Sequence, residues 1–439
     1  MTALTYTLGV LLFAVGVAVS IGLHEMGHLV PGKLFNVKVT QFFVGFGRTL
    51  WSRQRGETEY GVKAIPLGGY CKLVGMVPPN SDDAPDTVRS RNTGMFAQLV
   101  SDARDAEYEH VDPADHDRLF YNKPWWQRVI IMASGVITNL VIAFVLFAIA
   151  FMAYGIYTPS TTVRAVSKCV IAVTKANVDK PPRSCTPSDP AAPAKAAGFE
   201  AGDRFVSING TPINSWSEAQ REIRANDDRQ AVVVVERGGK EITLRPRTTV
   251  TTQATDPENR ERITEVGFLG VVPTEARERQ GLGFVVTTMA DGTWQTMKTI
   301  AALPQKVYHV GLAALGVEER DPTGPMSVVG AGRVAGELAS EDSSPGWDRF
   351  FSVITLLAGL NLFLGLINLV PLPPFDGGGI ATTLYEAARR RIARMRGKPD
   401  PGGVDSAKLL PVTYVMAMII LLVSVILIYA DIVAPVELS

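Results

Sequence analysis

Four apolar stretches along the chain contain no Asp, Glu, Lys or Arg. A helix needs roughly 20 apolar residues to cross the hydrocarbon core of a bilayer, and each stretch is about that long. We therefore predict a polytopic α-helical membrane protein with about four transmembrane helices. The first stretch has neither a basic start nor a small-residue cleavage site, so we expect it to remain rather than be removed as a signal peptide. The stretches are 1–24, 129–154, 350–370 and 409–429.

Basic residues near the helix ends predict how the chain is oriented. Lys and Arg cluster after the first helix and after the third helix, and such clusters mark the cytoplasmic side of a membrane. We therefore expect both of these loops to be cytoplasmic, with the N-terminus, residues 155–349 and the C-terminal tail outside. The clusters are Lys33, Lys38, Arg48, Arg53, Arg55 and Lys63, then Arg389, Arg390, Arg391, Arg394, Arg396 and Lys398.

The polar segments between the helices differ in their patterns. Residues 37–75 alternate apolar and polar positions between glycines, which predicts β-hairpins. Residues 76–118 are acidic and polar, so we expect a loop in which His110 and His116 are solvated side chains rather than metal ligands. On the outer side, residues 160–250 alternate short β-rich runs with turns around one helical stretch, and residues 281–315 predict an amphipathic interfacial helix.

These patterns together define the domain organisation that we expect. The predicted segments are 1–30 (first transmembrane helix with the HExxH motif), 31–128 (cytoplasmic β-hairpin region and acidic loop), 129–154 (second helix), 160–250 (compact outer domain), 251–349 (outer linker with an interfacial helix), 350–380 (third helix and a PxPPFDGG loop), 381–408 (basic cytoplasmic loop) and 409–430 (fourth helix).

Composition and cysteine usage agree with a membrane protein. The chain is 46% hydrophobic and has 43 basic and 43 acidic residues, so its zero formal net charge gives no reason to expect a nucleic-acid partner. Cys169 and Cys185 lie on the expected outer side, where oxidising conditions permit disulfides, and Cys71 lies on the expected inner side. The spacing alone leaves open whether Cys169 and Cys185 pair or stay free.

The candidate chemistry begins at the end of the first helix, where His24, Glu25 and His28 form an HExxH motif. Residues four apart share a helix face, so both imidazoles can bind one metal ion with Glu25 beside them. An ionisable residue costs about 2.5 to 3.5 kcal/mol or more at a bilayer centre, so such a cluster at a helix end indicates a function. A role in marking the membrane boundary would explain Glu25 but not the two histidines.

A third ligand is expected, because a catalytic zinc usually has three protein ligands and one open position. Asp376 is the best candidate, since it lies just beyond the third helix in the Pro- and Gly-rich segment 368–379. Taken alone, it could equally cap the following helix. The first and third helices are predicted to run in the same direction, so all three ligands would reach the same leaflet.

These motifs resemble those of bacterial site-2 proteases of the Rip-like, regulator-of-sigma-E protease type, and the resemblance covers nearly the whole chain. The two motifs that carry it are HEMGH (24–28) and NLVPLPPFDGG (368–378), which match HExxH and NxxPxPxxDGG. Three further segments are similar to a membrane-associated β-loop, the entry to helix two and a PDZ core. They are GFG with GETEYGVKAIPLGGY (45–47 and 56–70), YNKPWWQR (121–128) and GFEAGDRFVSINGTPI (198–213).

The resemblance implies Zn²⁺ bound by His24, His28 and Asp376, with Glu25 as general base and Asn368 holding the substrate backbone. It also implies a substrate-binding β-loop, whose glycines Gly45, Gly47, Gly68 and Gly69 are candidate contact positions. An edge strand of that loop would pair with an unwound substrate. The alternative is that the hairpins only cover the catalytic face. Gly379 departs from the family, in which many members have His.

The implied function is zinc-dependent cleavage of transmembrane segments of pre-trimmed single-pass proteins such as anti-sigma factors, in regulated intramembrane proteolysis. The expected location is the bacterial cytoplasmic membrane, with the lipid bilayer and membrane-protein substrates as partners and the active site near the cytoplasmic side. The PDZ-like domain would screen substrates outside, and its alternative role is that of a spacer. A membrane transporter with a metal site, or a protease-like scaffold without activity, are the rival classes.

Overall fold

The chain forms two compact units, which are described separately. One comprises residues 1–154 and 280–439, and the other comprises residues 155–279. The computed structural model describes residues 3–77, 87–92, 108–110, 113–174, 177–178, 183–254, 263–321, 324–341, 345–404 and 409–436.

The helices of the first unit include four that are long and apolar enough to cross a membrane, which confirms the predicted number among the described residues. These spans are Ala3–Leu34, Trp125–Tyr154, Gly346–Asn368 and Pro411–Val433. The described residues of this unit contain eight long helices, which are α1 (Ala3–Leu34), α2 (Trp125–Ala148, continued by a π-helical turn at Ile149–Tyr154), α5 (Leu282–Ala301), α6 (Leu303–Ala314), α7 (Val328–Ser340), α8 (Gly346–Asn368), α9 (Asp376–Met395) and α10 (Leu410–Val433). Helices α5 and α6 take the place of the single interfacial helix that we expected over residues 281–315.

A β-sheet follows α1 and covers the segment 37–75 that the sequence pattern predicts to form hairpins. Strands β1 (Val39–Arg55) and β2 (Thr58–Val77) each bend, so that residues 39–44 pair with 69–73 and residues 51–55 pair with 58–62. Strands β3 (Thr87–Asn92) and β4 (Tyr108–His110) extend the sheet. His110 therefore ends a strand rather than lying in a loop, while much of the segment 76–118 lies outside the described residues.

The second unit is larger than the predicted outer domain. Its main sheet contains β5 (Ile156–Val166), β6 (Arg204–Ile208), β7 (Thr211–Pro212), β8 (Val233–Arg237), β9 (Lys240–Leu244) and β12 (Val271–Glu278), in the order β12-β5-β6-β8-β9 with β7 on β6. Strands β10 (Thr249–Ala254) and β11 (Ile263–Phe268) form a hairpin, and the helices are α3 (Pro193–Ala196) and α4 (Trp216–Ala225).

Helix α4 and the inner faces of these strands enclose an apolar core that includes Phe205, Ile208, Val233 and Val235. Cys169 and Cys185 form a disulfide, which settles the pairing that the spacing left open.

Two predicted segments are corrected by this architecture. Within the predicted linker 251–349, the described residues 251–254 and 263–279 belong to the second unit instead, because β10 and β11 form a hairpin and β12 pairs with β5. The basic segment 381–408 is not a loop throughout, because α9 continues to Met395. Helix α7 was also missed, and it packs on the first half of α1 through Ala331 and Ala335.

One buried apolar cluster of the first unit lies beside the end of α1. Leu29 of α1, Leu73 of β2 and Ile131 of α2 belong to one buried cluster, so the sheet, α1 and the start of α2 form a continuous apolar contact. Burial of aliphatic side chains stabilises such contacts by about 1.5 to 3 kcal/mol each. This cluster fixes the position of the segment that carries the HExxH motif.

Candidate metal centre

The HExxH motif lies within α1, about two turns before the helix ends at Leu34. His24 and His28 are on one helix face, as their spacing predicts, and their rings are 5.0 Å apart in an edge-on arrangement. His28 is fully buried and Glu25 is 4% exposed. The motif is therefore held inside the unit, away from the exposed face of α1.

Asp376 reaches the same place from another part of the chain. After α8 the chain turns through a Pro-rich segment and starts α9 at Asp376, which is 4% exposed. Its Oδ2 lies 3.3 Å from Nε2 of His24 and 3.3 Å from Nε2 of His28. The structure therefore brings together the three side chains that sequence reasoning selected as ligands.

The spacing of these atoms fits a tetrahedral metal ion. The two Nε2 atoms are themselves 3.3 Å apart, so all three donor atoms are equally spaced. Ligands about 2.0 to 2.1 Å from a tetrahedral zinc ion lie roughly 3.3 to 3.4 Å from one another. Among the described residues this is the one cluster of His, Cys, Asp or Glu side chains with metal-binding spacing.

The hydrogen bonds around the site also fit a metal ion. Nδ1 of His28 lies 2.8 Å from the carbonyl oxygen of Ile131. A carbonyl only accepts, so Nδ1 donates and Nε2 keeps its lone pair for a metal. Oδ2 of Asp376 is buried without a hydrogen-bond partner, which is costly unless a cation compensates it. The donor set of two imidazoles and one carboxylate is one that zinc accepts.

Small residues of α1 and α2, which sequence reasoning missed, make room for the histidines. A Cβ atom on Gly135 would lie 2.3 Å from Nε2 of His28, and one on Gly27 would lie 2.7 Å from Oγ1 of Thr138. Ser134 Oγ donates to the carbonyl of Gly27 at 2.6 Å and so joins the two helices. Small residues at spaced positions are a known signal of close helix packing in membranes, and that signal could have identified them.

The β-sheet reaches the site through Gly69 of β2. A Cβ atom there would lie 2.8 Å from Cγ of Glu25, so the strand backbone passes directly beside this carboxylate. Gly45, Gly47 and Gly68 have positive φ angles of 94°, 81° and 122°, which allow the sharp bends of β1 and β2. Of these four candidate substrate-binding glycines, Gly69 is the one that lies against a residue of the HExxH motif.

Asn368 occupies the last position of α8 and is partly buried. It precedes the turn that leads to Asp376. The predicted substrate-binding residue is therefore located at the helix end nearest to the site.

Comparisons with known proteins agree with this geometry. The model of peptidase family M50 matches residues 12–399. The chain is 34% identical to the zinc metalloprotease Rip1 of Mycobacterium tuberculosis over 450 residues, which cover 99% of both chains. It is 32% identical to Rip1 of Mycolicibacterium smegmatis with the same coverage, and 28% identical to the metalloprotease MmpA of Caulobacter vibrioides over 88% of this chain and 87% of the relative.

Proposed function

Since the chain belongs to peptidase family M50 and is a zinc metalloprotease, we propose that it hydrolyses peptide bonds within or beside the transmembrane helices of membrane proteins. Its four apolar helices make it a multi-pass membrane protein. A substrate that shares the bilayer would reach the buried metal centre without leaving the membrane.

In this proposal His24, His28 and Asp376 hold the zinc ion. The observation that carries it is the equal 3.3 Å spacing of their donor atoms. Zinc in this position would supply Lewis-acid polarisation of the scissile carbonyl and would make the attacking water more acidic. The hydrogen bond from His28 to the Ile131 carbonyl keeps the imidazole in the tautomer that presents Nε2.

Glu25 serves as the general acid and base. Its carboxylate accepts a proton from the attacking water while the water oxygen bonds to the scissile carbon. Glu25 then passes that proton to the amide nitrogen as the carbon–nitrogen bond breaks, so the products are a carboxyl group and an amine. Glu25 is 4% exposed, which keeps bulk water away from this proton transfer.

The substrate backbone is held by the sheet and by Asn368. A helical substrate must unwind locally before cleavage, and its exposed backbone groups cost several kcal/mol each in lipid. Pairing with a strand edge near Gly69 would satisfy these groups, and Asn368 would add a side-chain partner. In the alternative, the sheet only shields Glu25.

We place the metal centre near the cytoplasmic leaflet. Asp376 follows α8 and meets the HExxH motif near the end of α1, so α1 and α8 run in the same direction. The basic clusters that follow each helix favour a cytoplasmic position for these ends. The second unit, residues 155–279, then lies outside the cytoplasmic membrane.

For this outer unit we propose a PDZ-like domain that screens pre-trimmed substrates, such as anti-sigma factors. Extended peptides and free C-terminal carboxylates commonly bind at the strand edges of such domains. A spacer role for the unit is the alternative.

Substitution of Asp376 tests the metal assignment. Asp376→Ala should remove both zinc and cleavage, because it deletes one of three ligands. Asp115→Ala is the matched control, since Asp115 is also a carboxylate of this unit but pairs with Lys38 and Arg118. Zinc content and cleavage are measured together on the purified full chain. Full zinc occupancy in the Asp376 variant would place the third ligand elsewhere.

A further inference from the structure

Besides Oδ2 of Asp376, three buried polar atoms on the helices that surround the metal centre have no hydrogen-bond partner among the described residues. They are Nδ1 of His24, Oδ1 of Asn139 and Oδ1 of Asn361. Asn139 is 2% exposed and Asn361 is fully buried. A buried polar group without a partner costs about 1 to 3 kcal/mol, so three of them in one apolar helix bundle require an explanation.

These atoms belong to neighbouring turns of three helices that pack together. Asn139 is one turn from Gly135 on α2, and a Cβ atom at Gly135 would lie 2.9 Å from Cε1 of His24. Asn139 also faces α8, because its Cβ lies 3.5 Å from the position of a Cβ on Gly365. Gly365 is one turn from Asn361.

A direct hydrogen bond joins α8 to α1. Nδ2 of Asn361 donates to Oγ of Ser20 at 3.0 Å, and Ser20 is one turn from His24. The junction of α1, α2 and α8 therefore contains His24, Asn139 and Asn361 within a turn of one another.

The donors and acceptors at this junction can be assigned. Nδ2 of Asn361 donates to the Leu357 carbonyl at 2.8 Å, and a carbonyl only accepts, so Oδ1 of Asn361 is the free acceptor. His24 presents Nε2 towards Asp376, so its ring proton is on Nδ1 when Nε2 binds a metal. The amide oxygen of Asn139 is a second free acceptor. The junction thus offers one donor and two acceptors.

We propose that the junction of α1, α2 and α8 binds one buried water molecule that positions His24. The water oxygen accepts the Nδ1 proton of His24, and its two protons go to Oδ1 of Asn139 and Oδ1 of Asn361. Buried waters typically make about three hydrogen bonds to otherwise unsatisfied groups, which is the number required here. Asn139 and Asn361 are therefore positioning residues that act on the metal through this water and His24.

This inference rests on the proposed role of His24 as a zinc ligand. It explains why two asparagines lie inside apolar membrane helices, where an amide is costly. Partners that orient a metal-binding histidine typically change metal affinity by 10- to 100-fold when they are removed. The effect of either asparagine should therefore appear in zinc binding itself, before any effect on cleavage is considered.

Zinc affinity of the full chain, measured by competition with a chromophoric chelator, tests the inference. Asn139→Leu fills the junction with an apolar side chain and should weaken zinc binding about 10- to 100-fold, whereas Asn139→Ala leaves space for solvent and should weaken it less, by about 3- to 10-fold. Thr355→Val is the matched control, because Thr355 is a polar residue of α8 whose hydroxyl donates to the Phe351 carbonyl of the same helix. It should stay within about twofold of the unaltered protein.

Two further measurements separate the possible failures. The visible absorption spectrum of the Co²⁺-substituted protein should shift in both Asn139 variants but not in Thr355→Val. If His24→Ala loses zinc while Asn139→Ala keeps both unaltered affinity and an unaltered spectrum, the water site is wrong and the metal site stands. If His24→Ala binds zinc as tightly as the unaltered protein, the metal assignment itself is wrong. The Ala variant keeps the test valid even if Asn139→Leu does not fold.

Discussion

Gly135 lies where α2 crosses the two histidines of α1, and any side chain there would collide with their rings. Its Cβ would approach within 2.3 Å of Nε2 of His28 and 2.9 Å of Cε1 of His24. Gly135→Ala should therefore displace the ligands and weaken zinc binding by more than about 100-fold, beyond the effect of an altered hydrogen-bond partner. Zinc titration of the purified variant measures this loss.

Gly359→Ala provides the control for this substitution. Gly359 is a helical glycine of α8, and a Cβ atom there meets nothing within 4 Å. The variant should bind zinc normally and gain a few tenths of a kcal/mol to about 1 kcal/mol in stability, because alanine favours a helix. Unaltered zinc affinity in Gly135→Ala would mean that the histidines hold the metal in a different arrangement.

Glu25→Gln separates proton transfer from metal binding. Glutamine keeps the shape of the side chain beside Gly69 but cannot accept the proton of the attacking water. Cleavage should fall about 10²- to 10⁴-fold while zinc content stays complete. Parallel loss of zinc and activity would instead make Glu25 part of the metal-binding set.

The sequence indicated which side chains meet at this site more fully than how the surrounding helices pack. Fixed helical spacing determines that His24 and His28 share a face, and the Pro-rich break before Asp376 marks a loop at membrane depth. The small-residue pattern around Gly135 signals close helix packing, but it does not say which side chains this glycine faces. A Cβ atom on Gly379 of α9 would lie 3.0 Å from Cε of Met132 of α2, a close approach of two helices that no local pattern encodes.

At the scale of elements, the longest apolar helices and the hairpins after α1 were predicted, whereas α7 and the strands after residue 250 were not. Helix α7 (Val328–Ser340) contains many small residues together with Arg333 and Glu337, so it lacks the apolar length of a span. Its packing depends on α1, where a Cβ on Gly9 would lie 2.4 Å from Cβ of Ala339. The extra strands of the second unit were missed because β12 pairs with β5, more than a hundred residues earlier.

An ion pair between the buried Asp203 carboxylate and the partly exposed Arg237 should stabilise the second unit. Asp203 is fully buried, and it accepts hydrogen bonds from Nε and Nη2 of Arg237 at 2.6 and 2.8 Å and from the Glu200 backbone at 2.9 Å. Arg237→Gln should lower the free energy of unfolding of this unit by about 2 kcal/mol. Thermal unfolding of the full chain measures it. Arg247→Gln is the control, since the Arg247–Asp228 pair is mostly exposed and should contribute about 0 to 1 kcal/mol.

The effect should depend on pH in a defined direction. Burial alone would raise the pKa of the Asp203 carboxyl, but Arg237 and the Glu200 N–H together hold that pKa below its usual value. The stabilisation is therefore complete above the unfolded pKa, about 3.9, and is lost as pH falls through the folded pKa. The difference between the unaltered protein and Arg237→Gln should shrink below about pH 4. A difference that grows on acidification would contradict the ion-pair explanation.

At the scale of the whole molecule, the first unit can be called the membrane unit, because it contains the four apolar helices. The chain leaves this membrane unit after Tyr154 and returns to it at Gln280. Within the second unit, Ile156 of β5 pairs with Glu278 of β12, so the two ends of that unit are adjacent. Within the membrane unit, the N–H of Gln280 donates to the carbonyl of Phe151 at 2.9 Å, so the two chain ends also meet there. The second unit is therefore inserted at one point of the membrane unit, and it can be removed as a whole.

This arrangement gives a test of substrate screening by size. Excision of residues 155–279, with a linker of about three residues, removes the complete unit, whereas removal of only 160–250 would cut through β5 and leave β12 without its partner. If the unit excludes substrates with bulky outer domains, the excised enzyme should cleave trimmed and untrimmed forms of one model substrate at similar rates. The intact enzyme should cleave the trimmed form at least about tenfold faster, a difference of roughly 1.4 kcal/mol in activation free energy.

The measurement uses both enzymes and both substrate forms in liposomes, with zinc content determined in each preparation. Equal zinc content shows that the metal centre survived excision, so that any change in selectivity belongs to the second unit. Because the ends of the inserted unit are adjacent, the linker need not strain α2 or α5, and loss of activity towards the trimmed form is not expected. If the intact enzyme already cleaves both forms equally, the second unit does not select by size, and a role as a spacer is favoured.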